Sequence, residues 1–236
     1  MRNIERAGER GVSELDWLHT RFSHSFAEYM NPKRMGFGAL RVVNDDTVDP
    51  VNGFPLHRHA QMEIVTVMLG GVLTHEDSMG NKREISAGEV QVMTAGTGVA
   101  HSEWNHGKTE PARLFQIWIL PKERALIPRY DQKRFEESAR HNTFQTLVSG
   151  VKVDGALFIH QDATLARATI TKGETVTYEL RDKAHGVFVL VVRGSVRVGK
   201  DTLGERDTME ISEEEAVEFI AAEDADVLVI EVPLLD

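Results

Sequence analysis

Two short clusters of histidine and glutamate stand out in this chain. His57 and His59 are separated by one residue, and so are His101 and Glu103 further along. Side chains alternate between the two faces of a β-strand, so residues two apart share a face. If the two segments are neighbouring strands, three imidazoles and one carboxylate converge on one point. Such a donor set suits a divalent transition metal, and the sequence therefore predicts a metal site.

The residues around these clusters leave the fourth ligand open. Glu63 shares the odd-numbered parity of His57 and His59, so on an unbroken strand it would face the same interior. Glu63 and Glu103 are thus both candidates for the carboxylate. The glycines Gly96 and Gly98 precede His101 in a turn that needs backbone conformations only glycine adopts cheaply. His75 and His106, which lie close in sequence, either support the ligands through hydrogen bonds or are exposed, and we expect exposure for both.

Local motifs extend both clusters. The segment from His57 to Gly70 reads H-x-H-x3-E-x6-G, and a glycine-rich turn leads into His101, which resembles the two cupin motifs. More narrowly, THEDSMGNKREISAGEVQ and MTAGTGVAHSE are similar to the pirin family of two-domain cupins. GFGALRVVNDD and SFAEYMNP resemble its bacterial quercetinase-like members. The resemblance runs from about residue 3 to about residue 232 and is strongest between residues 36 and 130.

The resemblance implies an all-β bicupin fold: two antiparallel β-barrel (jelly-roll) domains with a few short helices. It also implies one divalent transition metal per chain. Fe(II) is the first expectation, with Zn, Ni, Mn, Co and Cu as alternatives. In this family the ligands correspond to His57, His59, His101 and Glu103. Glu63 would then fix the tautomer of an imidazole by a hydrogen bond to the ring nitrogen that does not bind the metal.

The activity that the resemblance implies is a metal-dependent dioxygenase. It would open the heterocyclic ring of flavonols such as quercetin with O2 and release carbon monoxide. Glu103 would be the catalytic base that accepts the proton of the flavonol 3-hydroxyl. The chain departs from typical pirins at Arg58, where they carry Pro, and at residues 60–62, where they carry Arg-Gly-Phe. The alternative function is a metal-containing regulatory or redox-sensing protein that acts through protein partners.

Composition narrows the functional class. The chain has 236 residues, 41% of them hydrophobic, and a formal net charge of −10 with no cluster of Lys and Arg. This balance argues against direct binding of nucleic acid. With no cysteine, a disulfide framework, a thiolate nucleophile and a zinc–thiolate site are all excluded. No apolar leader or membrane-spanning run is found, so we expect a cytoplasmic monomer that binds no membrane.

The chain organisation predicts two related domains. Short apolar stretches separated by Gly, Asp and Asn are typical of all-β folds. Residues 38–46 resemble residues 155–162, and residues 65–72 resemble residues 189–196, which indicates an internal repeat. We divide the chain into a metal-binding cupin domain over 1–130 and a cupin-like domain over 131–236.

The same repeat carries a prediction about the second domain. It places Arg181, Lys183 and Val187 where the first domain has two histidines and Glu63, so the second domain should lack metal ligands. A short helix is predicted over 13–20, and a helix or turn over 131–140.

Overall fold

The computed structural model describes residues 1–235, which are almost entirely β-strand. The first strands are β1 (Arg2–Glu5), β2 (Gly11–Glu14), β3 (Leu18–Phe22), β4 (Leu40–Val48), β5 (Asn52–His59), β6 (Glu63–Gly70), β7 (Val72–Asp77), β8 (Lys82–Ser86), β9 (Glu89–Thr94), β10 (Val99–Asn105), β11 (Ala112–Ile119) and β12 (Arg129–Arg134). They are followed by β13 (Gln145–Ser149), β14 (Leu157–Phe158), β15 (Thr164–Ile170), β16 (Thr175–Glu179), β17 (His185–Arg193), β18 (Val196–Val198), β19 (Asp201–Leu203), β20 (Thr208–Ile211), β21 (Ala216–Ala221) and β22 (Ala225–Pro233). Two short 3₁₀ helices cover Ala7–Glu9 and Glu137–Arg140.

Each domain consists of a seven-stranded sheet packed on a four-stranded sheet. In the first domain the strand orders are β12-β9-β6-β11-β4-β3-β2 and β5-β10-β7-β8. In the second they are β1-β20-β17-β22-β15-β13-β14 and β16-β21-β18-β19. Neighbouring strands are antiparallel except β13 and β14, which are parallel. This arrangement confirms the predicted all-β bicupin fold with a few short helices.

The two seven-stranded sheets also pack against each other and form the domain interface. Buried apolar side chains such as Val65 and Phe115 of the first domain meet Phe188, Leu190 and Ile230 of the second. Burying one such side chain contributes roughly 1.5–3 kcal/mol. The interface is therefore a hydrophobic core shared by both domains.

Strand pairing crosses the predicted boundary between residues 130 and 131 at two places. β1, at the N-terminus, pairs with β20 of the second domain, from Arg2 opposite Ile211 to Glu5 opposite Thr208. β12 reaches Arg134 but pairs with β9 of the first domain. The division into 1–130 and 131–236 stays a prediction about functional units.

The helix predicted over 13–20 is wrong. That segment forms the β2–β3 hairpin, in which Ser13 lies opposite Thr20, and β3 continues the sheet beside β4. Thr20 and Phe22 alternate inward and are buried, so burial on the sheet outweighs the local helical signal. Of the segment 131–140, only Glu137–Arg140 is helical, because the preceding residues pair with the edge of β9 and form β12.

Among the described residues, no helix has the length and apolar character needed to cross a membrane.

Candidate metal centre

Three imidazoles meet where β5 pairs with β10. His101 lies directly opposite His57, and Val99 lies opposite His59. The ring centroids are 4.4 Å apart for His57 and His101, 4.7 Å for His57 and His59, and 4.9 Å for His59 and His101. One nitrogen from each ring lies within 4.8 Å of the others. The alternation of side chains along two paired strands therefore produces the convergence that the spacing indicates.

Glu103 belongs to a neighbouring group rather than to this triad. The register of β10 against β5 shifts between His101 and Glu103. Glu103 is only 2% exposed, and its carboxylate lies within 4.8 Å of ligand atoms of His75 and His101. His101 is common to both groups. The four residues thus lie in one region, and their joint ligation of a single ion is a proposal taken up below.

The hydrogen bonds of the imidazoles leave nitrogen lone pairs for a metal. His57 donates from Nδ1 to the carbonyl of Pro55 at 2.7 Å, and this tautomer keeps Nε2 as an acceptor. Nε2 of His101 is buried and has no hydrogen-bond partner within residues 1–235. A buried polar atom of this kind costs roughly 1–3 kcal/mol. A divalent cation would satisfy it, so the residues fit a metal.

The electrostatic surroundings keep two of these rings neutral. Burial, followed by the neighbouring imidazoles, lowers the pKa of His101 from 6.5 to about 3. Burial, followed by His101 and His57, lowers the pKa of His59 to about 4. Metal ligation requires the neutral imidazole, so both rings are ready to bind a cation at neutral pH without first losing a proton.

Two buried glutamines hold the carboxylate of Glu103, and a buried threonine connects them. Gln116 donates from Nε2 to Oε2 at 3.0 Å, and Gln91 donates from Nε2 to Oε1 at 3.4 Å. The Thr66 hydroxyl lies between them, 3.3 Å from each glutamine. Sequence reasoning missed these residues. The available signal was a glutamine interrupting each of the apolar strands β9 and β11 on the inward face.

His75 is fully buried, so the expectation that it is exposed is wrong. Its Nε2 lies 3.0 Å from Oδ2 of Asp77, and its Nδ1 lies 3.3 Å from Nδ1 of His101. Its ring stacks on Tyr130 at 4.6 Å. His75 thus connects His101 to a buried carboxylate and fixes the orientation of the imidazole. His106, in contrast, is exposed as expected.

Glu63 lies in neither group. The chain bends between His59 and Glu63, where Gln61 has a φ of 53°, and β6 belongs to the other sheet. Its Oε2 accepts a hydrogen bond from Thr94 of the paired strand β9 at 2.9 Å, and the backbone of His160 in the second domain lies close to its carboxylate. Burial raises its pKa to about 7. The expectation that Glu63 shares the interior with the histidines is wrong because the strand is not continuous.

A cavity of about 540 Å³ opens beside the triad and is lined by Arg58, His59 and Ala60, together with the turn at Gly98. Trp118 packs edge-on against His59, with ring centroids 4.9 Å apart. Pockets for small molecules commonly measure about 300–1,000 Å³. The positions at which the chain departs from the typical pirin pattern, Arg58 and Ala60, therefore border this cavity.

The fold and this site define a two-domain cupin with a candidate metal centre in the first domain. Residues 4–119 match the family model for pirin, and residues 146–232 match the model described as the quercetinase C-terminal cupin domain. The chain belongs to the pirin family.

Relatives match along nearly the full length. The quercetin 2,3-dioxygenase of Escherichia coli K12 is 40% identical over 98% of both chains. A pirin-like protein of Caulobacter vibrioides is 41% identical, covering 94% of this chain and 95% of its own. The bacterial pirin YhhW from Escherichia coli, solved in complex with nickel(II), superposes with a TM-score of 0.94 at 39% identity, with all of both chains covered.

Proposed function

We propose that this protein is a metal-dependent dioxygenase that opens the heterocyclic ring of flavonols such as quercetin, consuming O2 and releasing carbon monoxide. The observation that carries this proposal is the His57–His59–His101 triad, whose His59 lines a cavity large enough for a small aromatic molecule. The name of the Escherichia coli relative supports the same reaction.

His57, His59, His101 and Glu103 would hold one divalent ion, and we take Fe(II) as the first expectation. Nickel is the metal in the solved Escherichia coli relative. When bound, the ion supplies a Lewis acid for the flavonol 3-hydroxyl oxygen and a centre for reaction with O2. Three neutral imidazoles and one carboxylate leave coordination positions free on a five- or six-coordinate ion, which is typical of catalytic sites.

Glu103 would accept the proton of the 3-hydroxyl. Its carboxylate is buried, and Gln91 and Gln116 hold its two oxygens in place. A base in a fixed position close to the reacting group contributes more than a mobile one. His59 would form part of the wall of the substrate cavity, with Trp118 packed edge-on against its ring.

The test begins with metal analysis of the purified full-length protein, followed by anaerobic loading with Fe(II). O2 uptake and carbon monoxide release are then measured with quercetin. We expect one O2 consumed and one carbon monoxide released per flavonol. Glu103→Gln should lower kcat by about tenfold or more, the usual range for losing a general base, while thermal stability changes little. Glu110→Gln, at an exposed position, is the matched control.

Metal-loaded protein that consumes no O2 with any flavonol would contradict the proposal. That outcome would favour the alternative, a metal-containing regulatory protein. Capture of a protein partner that depends on the oxidation state of the metal would then be the next measurement.

A further inference from the structure

A second cavity lies between the two domains, outside the metal centre. It measures about 670 Å³ and is formed by the ends of β6 and β17 together with the 3₁₀ helix Glu137–Arg140 that joins the domains. We call it the interdomain cleft. Its wall contains six arginines: Arg113, Arg134, Arg140, Arg167, Arg193 and Arg206. In a chain with a formal net charge of −10, this is a local reversal of sign.

The cleft also contains four carboxylates: Glu136, Glu137, Glu205 and Asp226. Two of the arginines are already engaged. Arg167 forms a buried bidentate pair with Asp226, with both N–O distances at 2.7 Å. Arg206 lies 2.9 Å from Oδ2 of Asp45 and stacks over Phe115 at 5.2 Å. These two arginines brace the walls of the cleft rather than offer free donors.

Arg140 differs from both. It is only 6% exposed, and its Nε is buried without a hydrogen-bond partner in the described part of the chain. The nearest carboxylate is that of Glu137, which lies 3.8 Å from Nη2 of Arg140. The Glu137 side chain is 68% exposed. Thr169 holds the backbone by donating to the Arg140 carbonyl at 3.2 Å. The protein thus fixes a buried guanidinium and leaves its donors nearly unused.

The surroundings of Arg140 disfavour its charge on balance. Burial, followed by the neighbouring Arg167, lowers the pKa of Arg140 from its ordinary value, while Asp226 and Glu137 oppose this shift. Arg113, Arg134 and Arg193 lie at the exposed rim, and within residues 1–235 none of them forms an ion pair. Asp226 is already paired with Arg167 and Glu137 is mostly exposed, so these carboxylates compensate the buried charge of Arg140 only in part, and a poorly paired buried charge is destabilising. The most direct compensation is an anion in the cleft.

We propose that the interdomain cleft binds a small oxyanion, a phosphate- or carboxylate-bearing molecule, with Arg140 as its anchor. The planar guanidinium has donors spaced to contact two oxygens of such a group at once. Arg113, Arg134 and Arg193 add charge at the rim. Because the arginines come from both domains and from the segment between them, the bound anion also joins the two domains.

The experiment uses the full-length, metal-loaded protein and two weakly chelating probes, inorganic phosphate and tricarballylate, at constant ionic strength. Isothermal titration calorimetry should show one saturable site with a Kd below about 1 mM for one of the probes. The probe that binds more tightly distinguishes phosphate from carboxylate chemistry. Metal content is measured before and after the titration, so the result is independent of the proposed dioxygenase activity.

Two variants with opposite expected effects on anion affinity test the site further. Arg140→Met should weaken binding by about tenfold or more, because it removes the charge-assisted bonds. Glu137→Gln should strengthen binding by about threefold, since it removes an opposing charge. Arg124→Gln, an exposed arginine outside the cleft, should leave Kd unchanged. Without a probe, Arg140→Met should be at least as thermostable as the wild type, because a poorly paired buried charge is lost.

Three results would overturn the proposal: no saturable binding of either probe, an unchanged Kd in Arg140→Met, or an equal loss in Arg124→Gln. If Arg140→Met does not fold, Arg193→Gln and Glu137→Gln decide the matter. Weaker binding in the first and tighter binding in the second would support the site. Unchanged binding in both would exclude it.

Discussion

The two domains share one architecture but differ in their interiors. In the second domain, the space between the sheets is filled by one continuous apolar cluster that includes Val189, Phe219 and Val229. In the first domain, the apolar residues between the sheets form two small clusters, one around Leu114 and one around Met93. Buried polar side chains lie in the same interior and support the candidate ligands. The comparison teaches that an apolar core between the sheets is sufficient for the fold, whereas the site requires polar side chains within that core.

Buried polar groups also differ between the domains. In the second domain, Glu231 accepts hydrogen bonds from the Tyr178 hydroxyl at 2.7 Å and the Arg181 amide at 2.9 Å, and it lies 2.8 Å from His185 Nδ1. Both of its oxygens are engaged. In the first domain, Nε2 of His101 has no hydrogen-bond partner among the described residues. The Glu231 network is satisfied within the protein and stabilises the fold, whereas His101 Nε2, beside two other imidazoles, is placed to bind a cation.

The strongest test of this contrast replaces one buried histidine in each domain. His101→Ala should lower metal affinity by about a hundredfold or more and abolish quercetin-dependent O2 uptake, because it removes the ring shared by both candidate groups. His185→Ala should destabilise the protein but leave metal stoichiometry unchanged. Metal analysis and calorimetry on both variants check this. Equal metal loss in the two would contradict the contrast.

The next prediction concerns the residues that support Glu103. Gln116→Leu removes the 3.0 Å hydrogen bond to the carboxylate and should lower metal affinity by about 10–100-fold, the usual effect of losing a residue that orients a ligand. The matched variant is Gln161→Leu, which removes a 2.7 Å bond to the Leu120 carbonyl at the domain interface. It should lower Tm while metal affinity stays at the wild-type value, as measured by competition with a chelating dye.

A third prediction uses the buried carboxylate that faces the second domain. Burial raises the pKa of Glu63 from 4.5 to about 7 in the folded protein, so the folded state binds a proton that the unfolded state has lost. This contribution to stability is present at low pH and is lost as pH rises from 4.5 to 7.

Glu63→Gln should therefore match the wild type near pH 4 and be more stable at pH 8, by roughly 1–3 kcal/mol. Urea unfolding across this pH range provides the measurement, with Glu218→Gln as the exposed control. A constant difference at all pH values would show that burial of the charge is not the cause.

The smallest expected effect lies in the second domain. Tyr178→Phe removes one donor to the Glu231 carboxylate and should lower the free energy of unfolding by about 1–2 kcal/mol. Turnover and metal content should not change. Any loss of metal in this variant would show that the two domains are coupled more tightly than the separation of their interiors suggests.

Much of the site follows from local pattern. His57, His59, His101 and Glu103 lie two apart within two strands, and side-chain alternation is a property of extended backbone itself. The all-β fold follows in the same way from short apolar stretches and turn residues, and the family follows from motifs that span most of the chain. These features depend on neighbours in sequence, so the sequence by itself determined them.

Only the tertiary structure decided the rest. Glu63 has the right parity, but a bend at Gln61 turns its strand into the other sheet. The segment 13–20 is strand because β4 offers an edge to pair with, and His75 is buried because β7 lies beside β10. The interdomain cleft brings Arg140 and Arg193 together from distant parts of the chain. Each of these outcomes depends on which surfaces meet across long sequence separations, and local periodicity carries no information about that.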